Sequence, residues 1–250
     1  MEELKVKERR FESTYRFAGI IEESIKSKIE FWNYNEMSFI LRTVNFSRDT
    51  LLHLYIETRL FNFYREDTRD NGEDYDFDEF LQLFTVYSIK FTNAKNETEM
   101  EGGVFFQNNI KSFMKLFELV ADEVFHVLFS NRKLLLEFNE LARVSVKDYI
   151  DKNKYSLYYL SKKGTLKRAV IPKWVKDAVF LRDNGRCVFC LKDLTGIVNI
   201  PKSNYDHIVP LDLFGVNDPC NIQLTCERCN KQKTNKPGVT ALNYQSWWTS

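Results

Sequence analysis

Two C-x-x-C pairs, Cys187/Cys190 and Cys226/Cys229, restrict what this chain can fold into more than any other feature it carries. Each pair places two thiols on one tight knuckle, and tetrahedral zinc takes four thiolates. Two knuckles close the coordination sphere with no open position. The pattern therefore predicts a structural zinc rather than a catalytic one, with four unrelated buried thiols as the alternative. Cys220 has no partner pair and reads as an ordinary buried thiol. Between the pairs lies Asp206-His207-Ile208-Val209-Pro210, and Asn230 follows Cys229 directly.

The 250 residues are 44% hydrophobic and 15% aromatic, enough for one large or two small packed domains. A net charge of +1 conceals an asymmetry. Residues 1–150 carry 20 basic and 27 acidic side chains, and residues 151–250 carry 16 and 8. The basic half suits a polyanion, because neutralising phosphates releases counterions. The opening residues are mostly charged, and no apolar run is long enough to cross a bilayer. A soluble, cytoplasmic protein is expected, where paired cysteines are metal ligands more often than disulfides.

Residues 1–165 read as an acidic, mostly α-helical domain. Phe11, Tyr15, Phe17, Ile20, Ile21 and Ile25 recur at helical spacing. Ser47-Arg48-Asp49-Thr50 reads as a helix start before Leu51. Polar loops are expected over 66–76 and 93–103, helices over 77–91, 105–129 and 134–149. Asp67-Thr68-Arg69-Asp70-Asn71-Gly72 faintly resembles a calcium loop, but Arg69 stands at a ligand position and a solvated acidic turn is the better reading. Ser161-Lys162-Lys163-Gly164 breaks the pattern and places a domain boundary at 165/166. Pro172 suits the first turn of a helix running to about Arg182, and Asp183-Asn184-Gly185 a turn into the first cysteine pair.

Of three histidines, His53 and His126 lie in aromatic-rich helical runs and read as structural. His207 differs. A neutral imidazole suits a general base near neutral pH, and the adjoining Asp206 is a hard oxygen ligand for magnesium or manganese. Alone, such a dipeptide is weak. Here it stands among Leu181-Arg182-Asp183-Asn184-Gly185-Arg186-Cys187-Val188-Phe189-Cys190, Asp206-His207-Ile208-Val209-Pro210-Leu211, Gly215-Val216-Asn217-Asp218 and Asn221 through Lys233. In order and spacing these motifs resemble the HNH endonucleases, over roughly 172–236. Nothing in residues 1–165 resembles a family we can name.

The resemblance implies an α+β protein: the helical domain followed, over 166–250, by a small zinc-stapled ββα-metal domain. It implies His207 as general base, Asn221 as the asparagine that ties down the loop, and Asn230 at the head of the last helix sharing a divalent magnesium or manganese with Asp206. Asn stands at this third position where other members have His, a variation the family uses. Asn217 is a competing candidate for the middle role. Lys231, Lys233 and Lys236, with Lys162, Lys167 and Arg168, are candidate phosphate contacts; a solvated face is the equal alternative for each. The expected activity is metal-dependent phosphodiester hydrolysis, with double-stranded DNA as substrate, in phage defence or restriction. The helical domain would bind a protein partner, self-associate or sense an effector. The rival readings are a non-catalytic zinc-dependent DNA adaptor and an RNA-cleaving toxin using the same site.

Overall fold

The structure is a computed structural model that describes residues 10–31, 36–71, 76–92, 102–152, 158–195, 203–233 and 238–244. Among them are helices α1 (Thr14–Lys26), α2 (Glu36–Val44), α3 (Leu51–Asp70), α4 (Asp78–Val86), α5 (Gly102–Asn108), α6 (Ile110–Leu128), α7 (Arg132–Lys152) and α8 (Lys173–Arg182). Strands β1 (Ser203–His207) and β2 (Ile222–Cys226) and helix α9 (Glu227–Lys233) follow. The protein is thus mostly helical, with one two-stranded antiparallel sheet near its carboxyl end. Among the described residues no helix is long and apolar enough to cross a membrane.

The start of α3 falls where the sequence places it. Thr50 Oγ1 accepts from the His53 amide, and His53 Nδ1 accepts in return from the Thr50 amide at 3.1 Å. This reciprocal pair satisfies two of the free donors at a helix start. The His53 ring stacks on Phe125 with centroids 4.2 Å apart, a structural use of this histidine.

Three boundaries differ from expectation, the first being that the helix expected over 77–91 is α4, which ends at Val86. The loop expected from Glu66 does not begin there, because α3 runs on to Asp70. Buried Thr68 bonds back to the Tyr64 carbonyl, and Tyr64 stacks on Phe117, so packing holds this turn helical. The calcium-like stretch is therefore helical over residues 67–70, and its Gly72 lies outside the described residues, as does most of the loop expected over 93–103. The single helix expected over 105–129 is two, α5 and α6. Asn109 divides them: its side chain bonds Thr92 from both ends and also reaches the Phe105 carbonyl, so it competes with the helix for backbone partners.

The helical core is unusually aromatic. Phe17, Tyr64, Phe80, Phe113 and Phe117 pack mainly edge to face, the arrangement aromatic quadrupoles favour. Its buried cluster does not stop at residue 165. Ile208, Leu211, Val216 and Cys220, from the β1–β2 connection, pack into it. A second, smaller cluster joins Val175 and Val179 of α8 to Cys187, Leu194, Ile222, Leu224 and Cys226.

Polar seating accompanies this packing. The carbonyls ending α2 and the first amide of α3 have no partner within their own helices. Asn217 answers the first: its amide donates to Thr43 O at 3.0 Å and its side chain to Val44 O at 3.1 Å. Asp218 answers the second, accepting from Leu51 N and from Cys220 N, each at 2.7 Å. Asn139 of α7 adds a bond to Cys220 O at 2.9 Å. Gly215 lies so close to Val209 that a Cβ would meet its carbonyl oxygen at 2.0 Å, so only glycine fits this loop.

Asp218 is fully buried, and removing its carboxylate leaves two buried amides without acceptors. Asp218→Ala is expected to lower the unfolding free energy by about 2–4 kcal/mol in urea titrations. Asp212→Ala, which breaks an exposed pair with Lys163, is expected to change it by less than about 1 kcal/mol.

Candidate active site and zinc site

The four paired cysteines converge. The Sγ atoms of Cys187, Cys190, Cys226 and Cys229 all lie within 4.8 Å of one another. Zinc–sulfur bonds of about 2.3 Å in a tetrahedron set sulfurs about 3.8 Å apart; Cys190 and Cys226 Sγ are 3.7 Å apart. Burial opposes ionisation of Cys226, yet the Cys229 amide and the neighbouring thiols bring its pKa down to about 7. Donor number, spacing and chemistry fit a structural zinc. Its first knuckle is shaped by Asn184 and Gly185, both left-handed, with φ of 54° and 62°.

The β1–β2 register sets what faces what. Ser203 pairs with Cys226, Asp206 with Gln223 and His207 with Ile222. A zinc on these cysteines would therefore grip one end of the hairpin, while Asp206 and His207 sit towards the other. That far end is closed by Asn221, which is fully buried. Its Oδ1 accepts from Val209 N at 2.8 Å, and its Nδ2 donates to Val209 O and Val216 O at 3.0 and 2.9 Å. Asn217, the competing candidate for this place, instead ties the loop to α2 and to the segment before α8, through Lys167 O at 2.8 Å and Ala169 N at 3.2 Å.

A buried pair clamps α8 to β2. Arg182 Nε and Nη2 donate to the Asp183 carboxylate, Arg182 also bonds Ile222 O at 2.6 Å, and Asp183 accepts from Leu224 N at 2.9 Å. Phe129 lies under the guanidinium, 5.0 Å from it.

His207 is 2% exposed, and among the described residues neither ring nitrogen has a partner in hydrogen-bonding geometry. Burial pushes its pKa down to about 4; Arg168 and Lys233 add to this, while Asp206 and the nearby Asn217 oppose it. The ring is therefore neutral at neutral pH, with a lone pair available.

Asp206 is already neutralised by a cation. Lys233 Nζ lies 2.6 Å from Asp206 Oδ2 and also bonds the carbonyls of His207 and Ile208. Lys233, expected as a phosphate contact, is thus turned inward and buried, because this pocket of three oxygens outbids solvent for its ammonium. Burial lowers its pKa, against the pull of Asp206. Lys233 and Gln223 both reach Oδ2, and Oδ1 is the hard oxygen of Asp206 that a divalent cation would take. Asn230 lies one turn before Lys233 on α9, half-buried, on the face that residues three apart share.

The other expected phosphate contacts lie outside this pocket. Lys231 is exposed and pairs with Glu227 at 2.5 Å. Lys167 bonds Tyr158 O at 2.6 Å and lies over the Tyr158 ring. Lys162 and Arg168 are exposed, and Lys236 lies outside the described residues. Asp218, Gln223, Arg182 and Asp183 fall within the stretches that carry the HNH resemblance, but nothing in the sequence assigned them these individual contacts.

The HNH endonuclease family model matches residues 187–236, so the zinc knuckles, hairpin and final helix form an HNH module. An HNH domain implies nuclease chemistry, the cleavage of nucleic acid. No curated protein and no solved structure matches the chain.

Purified protein is expected to carry one zinc per chain by elemental analysis. Cys226→Ser should lose it and unfold the hairpin end first, seen as early loss of amide protection over 203–226, since such metal sites are coupled to folding.

Proposed function

We propose that this protein is a metal-dependent endonuclease that hydrolyses phosphodiester bonds in double-stranded DNA. One observation carries the reading: within the segment that matches the HNH family, a buried neutral imidazole, His207, with no hydrogen-bond partner among the described residues, directly follows a carboxylate, Asp206, at the end of β1. His207 takes a proton from the attacking water through a ring nitrogen that burial keeps unprotonated. Asn221 holds the loop through Val209 and Val216 and so orients the end of β1 that carries His207. Asp206 and Asn230 are the residues that would hold magnesium or manganese. When bound, such a metal would supply charge neutralisation at the scissile phosphate. The products are a 5′-phosphate and a 3′-hydroxyl.

DNA is preferred on the strength of the family likeness, and the +8 balance of residues 151–250 suits any polyanion. The net −7 of residues 1–150 suits contact with a protein partner, with a second copy or with an effector rather than with DNA. At 2% exposure His207 is shielded from substrate, so cleavage requires the site to open. A nuclease whose base is shielded by its own fold accords with a triggered role, such as phage defence or restriction.

The test is plasmid and labelled RNA incubated side by side with magnesium, manganese or EDTA. Metal-dependent nicking or linearisation of DNA is expected. His207→Ala is expected to slow it at least about 100-fold with zinc content unchanged. Cleavage of RNA alone would establish the toxin reading, and DNA binding without cleavage under every condition the adaptor reading.

A further inference from the structure

Asp206 is held from two sides. Lys233 is one; Gln223 is the other. The register sets Gln223 directly across from Asp206, and its Nε2 donates to Asp206 Oδ2 at 3.2 Å. The same Nε2 donates to Val239 O at 3.0 Å. Both acceptors are oxygens, so the amide can be oriented only with its nitrogen towards them. Gln223 is fully buried, and its remaining atom, Oε1, has no partner among the described residues. An orphaned acceptor in a buried amide costs stability unless something answers it. Here it lies one amide group away from the carboxylate assigned to the cation, as a hard oxygen of the type such a cation takes.

Val239 belongs to a strap, residues 238–244, that runs from the hairpin to α7. Its amide donates to Ile208 O at 3.2 Å. Gly238 fits tightly beside Glu140, Val209 and Leu136, where a Cβ would come within 2.4 Å of the Glu140 carboxylate. At the far end, the first amide of α7, Arg132 N, donates to the Tyr244 hydroxyl at 2.9 Å. The Arg132 guanidinium bonds Asn243 O and lies 4.1 Å from the centre of the Tyr244 ring. Arginine in the first turn of a helix opposes the helix dipole, so its place there needs another reason. The strap supplies one: Arg132 is 5% exposed and spent on Asn243 and Tyr244.

We propose that Gln223 is a positioning residue for the divalent cation at Asp206, fixing the carboxylate through Nε2 and offering Oε1 to the cation, and that the strap sets its orientation from α7. This rests on Asp206 being a ligand of that cation. It gives the helical region a mechanical path to the metal site that passes through neither the zinc nor the loop at Asn217.

Manganese binding by the full-length protein without nucleic acid, followed by the electron paramagnetic resonance of free Mn²⁺, tests this apart from activity. Gln223→Met keeps the volume and removes both polar atoms. It is expected to weaken Mn²⁺ binding about 10- to 100-fold, as loss of a ligand's supporting partner does elsewhere, with zinc content and far-UV circular dichroism unchanged. Tyr244→Ala, at a site 55% exposed and outside the core, is expected to weaken it severalfold. Wild-type affinity in Gln223→Met overturns the positioning role. Wild-type affinity in Tyr244→Ala overturns the strap's part in it, and remains informative if Gln223→Met does not fold. Asp206→Asn separates the two levels: if it binds Mn²⁺ like the wild type, the metal-site reading fails and this inference with it. If it loses Mn²⁺ while Gln223→Met does not, only the inference fails.

Discussion

The seating of Asn217 and Asp218 between α2 and α3 is the contact on which the rest of the architecture depends. Two adjacent helix ends leave carbonyls and an amide that neither helix can satisfy. A single loop of the nuclease hairpin supplies a donor for the first and a carboxylate for the second. Desolvation raises the pKa of the buried Asp218, so its place there is stable only because both amides reach it. Once that loop is seated, Ile208, Val216 and Cys220 enter the helical core, and Asn221 can brace Val209. The far end of the hairpin is then as firmly held as the zinc end.

Two independent anchors thus bracket the candidate site. Zinc would hold Cys226 where β2 meets α9, and the helical body holds the connection after His207. A small module has little core of its own, and its second cluster is limited to α8, the knuckles and β2. The precision available to Asp206, His207 and Asn230 comes from being strung between the anchors rather than from packing within the module.

The site carries charge in an unusual balance. Lys233 neutralises Asp206 from within, and burial holds His207 unprotonated beside it. In a medium of low polarity each of these groups is costly alone, and each is made tolerable by the others. The same burial that prepares the imidazole as an acceptor also screens it from substrate. A preformed but closed site separates readiness for chemistry from access to it.

Much of the site was legible in the sequence, because its signals are local. C-x-x-C spacing requires a knuckle wherever it falls, and Asp206-His207 and Asn230 are placed by chain order along a short hairpin and helix. Thr50 marked its helix for the same reason. Less was legible where a residue's role depends on what lies across from it. Gln223 stands in a strand buried on both faces, so no alternation distinguishes it; only the register sets it against Asp206. Lys233 looked like its neighbour Lys231, yet one faces solvent and the other three oxygens. Asn109 and Thr68 moved helix boundaries through contacts that propensity does not contain. By itself, then, the sequence determined the four-cysteine cluster, the HNH pattern of the hairpin and the helical character of what precedes them, since each rests on spacing within a few residues. Tertiary structure alone decided that the loop at 217–218 docks on α2 and α3, that His207 is buried, and that the strap at 238–244 links α7 to Gln223, because these rest on packing between segments far apart in the chain.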